Sequence, residues 1–369
     1  NKSAYVWVEP ILETVNYLDE NGNVRVPVAS QSLPDAGSGS LHGAFSQGSN
    51  GYSGFDIMGN LSQDDATTDK HLYYQDIDST YSQGYKVSSV TDDGGGYQAY
   101  INALSLLNNA DEYDINLIAL PGVTQDNGGA IVSKAIDVCE DRGDCFVLAD
   151  PTNWGSTITT ATTNATAYDS NYAAMYYPWV QVNDAKTGKF RWVPPSVVIG
   201  GIYAFNDKVA HPWFAPAGLN RGGIETAIQA ERKLTHGNRD TLYDGSINPI
   251  ATFPGQGVTV WGQKTLQKKA SALDRINVRR LMIKVKKFIA ASSRFLVFEQ
   301  NNTATRKRFL NIANPYLEQV QSNSGLHAFR VVMDESNNTP DVVDRNILYG
   351  QLFLQPTRTA EFIVLDFTI

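Results

Sequence analysis

The stretch Ile115–Ala149 decides the fold. It contains the apolar strand Ile115–Leu120 (INLIAL), the helix Gly128–Glu140 (GGAIVSKAIDVCE) and a second apolar strand, Cys145–Ala149 (CFVLA). Another helix is predicted just before it, over Tyr97–Asn108. Continuous apolar strands that alternate with amphipathic helices are typical of a parallel sheet with both faces covered. The stretch therefore predicts a βαβ-type sheet at the core of an α/β fold.

The first 95 residues have a different character, rich in strand formers and turn residues. Asn21-Gly22 is a strong hairpin signal, and Val24, Val26 and Val28 alternate beyond it. A Gly/Ser-rich run over residues 30–52 is typical of a long surface loop. We predict a β-rich N-terminal part joined to the α/β core.

The chain beyond the βαβ unit alternates short strands with helices. Trp179–Trp192 predicts a second hairpin, and Pro195 suits the first turn of a helix that runs through Tyr203. A further helix is predicted to begin near Gly223.

A long helix is predicted over Ser271–Ser292 (SALDRINVRRLMIKVKKFIAAS), where Ser271 and Asp274 have the spacing of a capping box. One arc of this helix is apolar and predicts a core-facing stripe: Val278, Leu281, Met282, Val285, Phe288 and Ile289. The opposite arc combines five cations with two isoleucines: Arg279, Arg280, Lys284, Lys286, Lys287, Ile276 and Ile283. That arc is either a solvated charged face or a face that docks onto an acidic partner, and the two isoleucines favour docking.

The charges are distributed unevenly along the 369 residues. The chain carries a net charge of −8, yet residues 263–308 hold thirteen Lys or Arg against two acids, a local charge of +11 that leaves −19 elsewhere. This division favours association with copies of the chain or with an acidic partner. We predict two parts, residues 1–262 (the β-rich part plus the α/β core) and 263–369 (a C-terminal α+β domain).

Other partner classes fit the sequence less well. The basic segment lacks the regular aromatic spacing of single-stranded nucleic-acid binders, and the acidic remainder would repel phosphate, so no direct nucleic-acid partner is predicted. No apolar run reaches the ~20 residues of a membrane span, so no membrane partner is predicted either.

Candidate chemistry is sparse. Cys139 and Cys145 are interpreted as two buried small residues, and the histidines lack metal-ligand spacing, so no cofactor or metal is predicted. The alternative to a structural protein is an α/β enzyme with a strand-end site near Asp150, since sites in parallel sheets often form there. A third reading, a carbohydrate- or receptor-binding module, rests on six Trp and 18 Tyr.

Several ordered motifs together resemble one known family. They are DCFVLADP (Asp144–Pro151), RWVP (Arg191–Pro194), Trp213 with APAGLNRG (Ala215–Gly222), INP (Ile247–Pro249), DRINVRRL (Asp274–Leu281), FEQNN (Phe298–Asn302) and NNTPDVVDRN (Asn337–Asn346). Their order and spacing are similar to those of the contractile tail sheath proteins of bacteriophages with myovirus-type tails. The resemblance covers about Tyr97 to Ile369.

The resemblance implies a structural subunit rather than an enzyme. Sheath proteins stack as hexameric rings around a tail tube, and their contraction, triggered by a baseplate, drives the tube through the host envelope during genome delivery. The implied partners are neighbouring sheath subunits, the tube protein, and baseplate and tail terminator proteins. The implied location is the virion tail, assembled in the host bacterial cytoplasm.

The family's terminal arms add strands to neighbouring subunits. By resemblance, Ile347–Leu354 and Glu361–Ile369 would form a strand pair that ends in such an arm. The family's N-terminal portion has no counterpart before Asn1, so we expect this form of the chain to be monomeric in solution.

The family's C-terminal domain lies next to the tube, which makes the basic arc the predicted contact. The tube-contact candidates are Ile276, Arg279, Arg280, Ile283, Lys284 and Lys287.

Overall fold

The computed structural model describes residues 96–184 and 188–361. The predicted N-terminal hairpin and the rest of the β-rich part lie outside the described residues. The described residues from Tyr100 onward belong to one compact unit.

Within the described residues the chain alternates helices and strands, which confirms a mixed α/β fold. The α-helices are α1 (Gly96–Leu107), α2 (Gln125–Arg142), α3 (Ile158–Ala165), α4 (Pro195–Val209), α5 (His236–Asp244), α6 (Ile276–Ser293), α7 (Thr303–Ser322) and α8 (Pro340–Asp344). The strands are β1 (Leu117–Thr124), β2 (Phe146–Asp150), β3 (Ala173–Tyr177), β4 (Val180–Asn183), β5 (Phe190–Val193), β6 (Ala227–Ala230), β7 (Ile247–Phe253), β8 (Gly257–Val260), β9 (Leu326–Val332) and β10 (Gln351–Pro356).

The central sheet has five strands in the order β1-β2-β3-β7-β8. Strands β1, β2, β3 and β7 run parallel, and β8 returns antiparallel to β7. Every residue of β2 and β3 is buried, as expected for inner strands covered on both faces. The predicted βαβ unit is therefore confirmed, with α2 as its crossover helix.

Local signals explain the limits of α2. Thr124 and Asn127 form a reciprocal capping box at its start, in which the backbone N–H of Thr124 donates to Asn127 Oδ1 at 2.7 Å. Gly143 ends the helix with a φ of 67°, in the left-handed region that glycine adopts without steric cost. The chain then turns directly into β2.

A separate three-stranded antiparallel sheet has the order β5-β4-β6. Its β4–β5 pair is the predicted Trp179–Trp192 hairpin, and α4 begins at Pro195 as predicted. The helix predicted near Gly223 is wrong, because Ala227–Ala230 pairs with β4 as a strand. The apolar spacing of that short segment fits a helix, but pairing with a strand almost fifty residues earlier in the chain decides its conformation.

The C-terminal section consists of α6, α7, α8 and the antiparallel pair β9–β10. The strand Gln351–Pro356 overlaps the predicted strand region and pairs with Leu326–Val332. Its predicted pairing with Glu361–Ile369 stays a prediction. The second half of the predicted pair, Glu361–Ile369, lies outside the described residues beyond Glu361 itself.

Candidate functional site

The basic helix α6 begins later than predicted, at Ile276. Ser271 does act as a cap, but of a short 3₁₀ turn over Ala272–Asp274, with its side chain accepting from Leu273 N at 3.1 Å. Arg275 then forms an isolated antiparallel β-bridge with Lys264, and Ile276 N donates to Gln263 O at 2.9 Å. The helix start is therefore held by the chain segment that leaves the central section.

The two isoleucines of the basic arc lie in the protein core. Ile276 has no exposed surface, and Ile283 is 6% exposed. Both belong to the core cluster built on Phe146, Tyr176 and Tyr203 of the central section. The docking surface inferred from the sequence therefore exists, but its partner is the chain's own central sheet.

Arg280 makes the most developed contact of this arc. Its Nη2 donates to Asp207 Oδ2 at 2.6 Å, and its guanidinium lies 4.5 Å from the centre of the Tyr203 ring. The Tyr203 and Tyr176 hydroxyls are hydrogen-bonded to each other at 2.7 Å, and burial raises the pKa of both phenols. A guanidinium over an aromatic face with a carboxylate partner is a stable arrangement for a largely buried cation.

Arg279 and Lys287 also contact residues of the central section. Arg279 lies 4.0 Å from the centre of the Tyr172 ring and donates to Asn171 Oδ1, and burial lowers its pKa. Lys287 Nζ donates to Asp114 Oδ1 at 2.5 Å and to Ile115 O at 2.7 Å. The hydrogen bond from Lys287 in turn holds the pKa of the Asp114 carboxyl below its ordinary value.

The prediction that this arc is a free outer surface is therefore wrong for most of the tube-contact candidates. Ile276, Arg279, Arg280 and Ile283 are buried, and Lys287 is half-buried and hydrogen-bonded within the chain. The opposite, apolar arc faces the core as predicted: Val278, Leu281 and Val285 are buried, and Leu281 and Val285 pack with Leu317 and Val320 of α7. Of the six candidates, Lys284 is the one that is exposed.

An exposed apolar segment, residues 295–298, follows α6 directly. Phe298 is fully exposed and has a φ of 68°, Phe295 is 83% exposed and Val297 60% exposed, while Leu296 between them is buried. A non-glycine residue in the left-handed region costs conformational energy and often marks a functional position. In the sequence, the apolar run of RFLVF (residues 294–298) is the feature that marks this segment, and no contact site was predicted there.

Glu361 joins residues from three parts of the chain at the last described position. Its carboxylate accepts from Arg275 Nε at 2.7 Å, Tyr243 Oη at 2.8 Å and Gln263 Nε2 at 3.0 Å. Glu361, Tyr243 and Gln263 also line a cavity of about 600 Å³. No local sequence pattern pointed to this residue, because its partners lie 86 to 118 positions away.

The strand-end residue Asp150 has a structural role in this geometry. It is completely buried, with Oδ1 accepting from Ser196 N at 3.0 Å and Oδ2 accepting from Ser196 Oγ at 2.5 Å. Burial raises its pKa to about 7, although the hydrogen bonds from Ser196 act in the opposite direction. Because both oxygens are engaged at the start of α4, Asp150 serves as a helix cap supplied by a neighbouring strand.

Among residues 96–184 and 188–361, no group of three or more His, Cys, Asp or Glu side chains is placed to hold a metal ion. In the same part of the chain, no helix combines the length and apolar character needed to cross a bilayer.

Two family models match the chain one after the other. The model of the phage tail sheath protein central domain matches residues 93–266, and that of the phage tail sheath C-terminal domain matches residues 268–369. Together they cover about three quarters of the chain. The chain belongs to the phage tail sheath family. The resemblance drawn from the ordered motifs is thereby confirmed.

Curated sheath proteins share substantial identity with this family member. It is 38% identical to the tail sheath protein of Vibrio phage KVP40 over 220 residues, which are 59% of this chain and 32% of the relative. It is 33% identical to the tail sheath protein of Enterobacteria phage T4 over 267 residues, 67% of this chain and 40% of the relative. The chain thus spans less than half the length of either relative.

Solved structures of sheath assemblies share the fold. The sheath complex of an extracellular contractile injection system, PVC, in its contracted state is similar with a TM-score of 0.62 and 28% identity, over 72% of this chain and 74% of the other. The contracted helical sheath of the anti-feeding prophage is similar with a TM-score of 0.58 and 27% identity, over 72% and 73%. The buried junction of the basic helix thus lies within the domains that define the sheath family.

Proposed function

We propose that this chain is a structural subunit of a contractile phage tail sheath, which associates with further copies of itself and contacts a baseplate. The observation that carries the proposal is the succession of the two sheath family models along residues 93–369. The similar solved chains come from contracted sheaths and from a baseplate of the anti-feeding prophage, which supports both kinds of contact.

The proposal includes the finer features implied by the family. The subunits form stacked hexameric rings around a tail tube, exchange terminal strands with their neighbours, meet a tail terminator protein, and contract to drive the tube through the host envelope. The protein then belongs to the virion tail, assembles in the host bacterial cytoplasm, and acts without catalysis, nucleic-acid binding or membrane insertion. The division into residues 1–262 and 263–369, with the second part facing the tube, also stays a proposal.

The contacts of the described residues support a rigid building block. The junction of α6 with the central sheet buries two isoleucines and pairs Arg280 with Asp207, so the central and C-terminal sections hold together without a partner. The Asp150 carboxylate, the best catalytic candidate from the sequence, is engaged in capping α4. Both observations favour a structural role over the α/β enzyme.

The exposed apolar segment 295–298 supports an assembly contact. Contiguous exposed apolar side chains on a soluble protein usually mark a surface that another protein covers. We assign the segment to a contact between sheath subunits. Of the candidate tube contacts, we retain Lys284 as a proposed contact with the tail tube, because its side chain is exposed.

Electron microscopy of the purified protein, alone and with tail tubes, tests the function. Sheathed tubes in the mixed sample are the expected product, whereas uniform single particles in both samples would refute the proposal for this chain. Sedimentation without tubes separately tests the expectation that the chain alone is monomeric.

A matched pair of variants then tests the contacts. Phe295→Ser combined with Phe298→Ser should leave the free energy of unfolding nearly unchanged, because both rings are exposed, but should weaken assembly. Lys284→Glu should impair only assembly on tubes. Normal assembly of the double serine variant would show that segment 295–298 is not a subunit contact.

A further inference from the structure

The two cysteines of the chain, Cys139 and Cys145, lie in direct contact inside the central section. Both are completely buried, as the sequence predicted, and their Sγ atoms are 2.8 Å apart. A disulfide bond is about 2.05 Å long, so the two sulfurs are about 0.8 Å from bonding distance. Their spacing of six positions is not that of a CxxC redox pair, and the fold brings the two sulfurs together.

The backbone around the pair is held independently of the thiols. Cys139 is in the last turn of α2, where its carbonyl accepts from Gly143 N at 2.9 Å, and the N–H of Phe146, next to Cys145, donates to Asn116 O at 3.0 Å. Between the cysteines, Arg142 makes two hydrogen bonds to the Asp144 carboxylate, at 2.7 and 2.9 Å. The turn therefore presents the two sulfurs to each other in a fixed arrangement.

We propose that Cys139 and Cys145 are a modification site at which oxidation forms an intramolecular disulfide. The oxidant class is a small-molecule disulfide such as oxidised glutathione. The Cys145 thiolate attacks one glutathione sulfur and releases the other as a thiolate, which takes up a proton. Cys139 then loses its proton, attacks the Cys145 sulfur and displaces the second glutathione, so that two protein thiols are oxidised and one small disulfide is reduced.

The two thiols differ in acidity, and the difference fits a first step at Cys145 and a second step at Cys139. The hydrogen bond from the Cys139 thiol lowers the pKa of Cys145, and the nearby charges of Arg142 and Lys287 act in the same direction. Cys145 is thus the thiol that ionises first. Because both sulfurs are buried, the oxidant gains access through local opening of the turn, so the reaction is slow under native conditions.

The disulfide would restrict the turn between α2 and β2, which contacts the basic helix α6. Asp144 lies in this turn, and Lys287 Nζ of α6 is 3.8 Å from its Oδ2. A cross-link that closes a seven-residue loop between α2 and β2 restricts the unfolded chain. We expect it to raise the unfolding temperature by roughly 5 °C.

Peptide mapping of the oxidised protein tests the proposal directly. The unmodified chain is incubated with oxidised glutathione or with a phosphine reductant, unfolded in an alkylating reagent, and digested with trypsin. Trypsin cleaves after Arg142, between the two cysteines, so the disulfide joins the peptides Ala135–Arg142 and Gly143–Lys186. The expected product is this linked pair, lighter by two hydrogen atoms than the sum of its thiol peptides, together with the higher unfolding temperature.

The double variant Cys139→Ala with Cys145→Ala is the matched control, and its unfolding temperature should be the same in both treatments. Recovery of both alkylated peptides from the oxidised sample, after incubation long enough for local opening, would overturn the proposal. Disulfide-linked dimers in place of the internal pair would overturn it as well. Neither result depends on assembly into a sheath.

Discussion

Reversing the charge of Arg280 should destabilise the protein far more than reversing that of Lys284, one helical turn away on the same arc. From the sequence, both residues were predicted to contact a tail tube outside the subunit, and on that basis neither reversal would affect the fold. In the structure, Arg280 is 8% exposed and paired with Asp207, whereas Lys284 is exposed. The two substitutions change the net charge equally. The difference between their free energies of unfolding therefore reports on the contact of Arg280 with the central section.

The magnitude follows from the contacts that Arg280→Glu removes and creates. Breaking a buried ion pair costs ~3–5 kcal/mol, and the partial exposure of Asp207 places this pair at the lower end. Loss of the cation–π contact with Tyr203 adds about 1 kcal/mol. Arg280→Glu should therefore cost ~3–4 kcal/mol of unfolding free energy, against about 0.5 kcal/mol or less for Lys284→Glu.

Urea unfolding followed by far-UV circular dichroism and tryptophan fluorescence measures both variants at one salt concentration. Adding Asp207→Arg to the Arg280→Glu variant should recover part of the loss, because opposite charges again face each other. Equal and small effects of the two single reversals would refute the buried junction. An equally large loss in Lys284→Glu would show that the effect comes from net charge.

Three further predictions concern separate parts of the structure. Ile283→Ala should lower the free energy of unfolding by ~2–4 kcal/mol, measured by urea unfolding, because it leaves a cavity in the shared core. Asp150→Asn keeps the cap on α4 but removes the cost of ionising a carboxyl whose pKa is raised to about 7. That cost is absent below about pH 4 and complete above pH 7, so the stability of the variant relative to the wild type should rise by up to ~4 kcal/mol across this range. Glu361→Gln should weaken the hydrogen bonds to Arg275 and Tyr243, and hydrogen exchange should show faster amide exchange around residue 361 with little change in global stability.

Much of the central fold could be predicted because its signals are local. The apolar runs of β1 and β2, the periodicity of α2 and the proline at the start of α4 each report on their own neighbourhood. The strand β6 could not be predicted in this way, since its conformation depends on pairing with β4. The limits of α6 shifted for a similar reason, because Ile276 N bonds to Gln263 O, outside the helix.

The candidate site shows a different limit of sequence reasoning. Helical periodicity correctly separated two arcs of α6 and indicated that the basic arc docks onto something, but periodicity does not say what covers a face. The partners Asp207 and Asp114 lie 73 and 173 positions from Arg280 and Lys287. The guanidinium groups of Arg279 and Arg280 also lie over the rings of Tyr172 and Tyr203, so an assignment of these charged residues to the surface from polarity alone was wrong.

The contact between α6 and the central section explains part of the uneven charge of the chain. The basic segment joins the acidic central section within one subunit, through Arg280 with Asp207 and Lys287 with Asp114, around a core that contains Ile276 and Ile283. Separating the sections would expose both isoleucines, at ~1.5–3 kcal/mol each, and would leave Arg280 and Asp207 without each other. Contacts between exposed groups such as Lys284 are worth ~1 kcal/mol or less. A rearrangement of subunits should therefore break surface contacts first and carry the central and C-terminal sections along together.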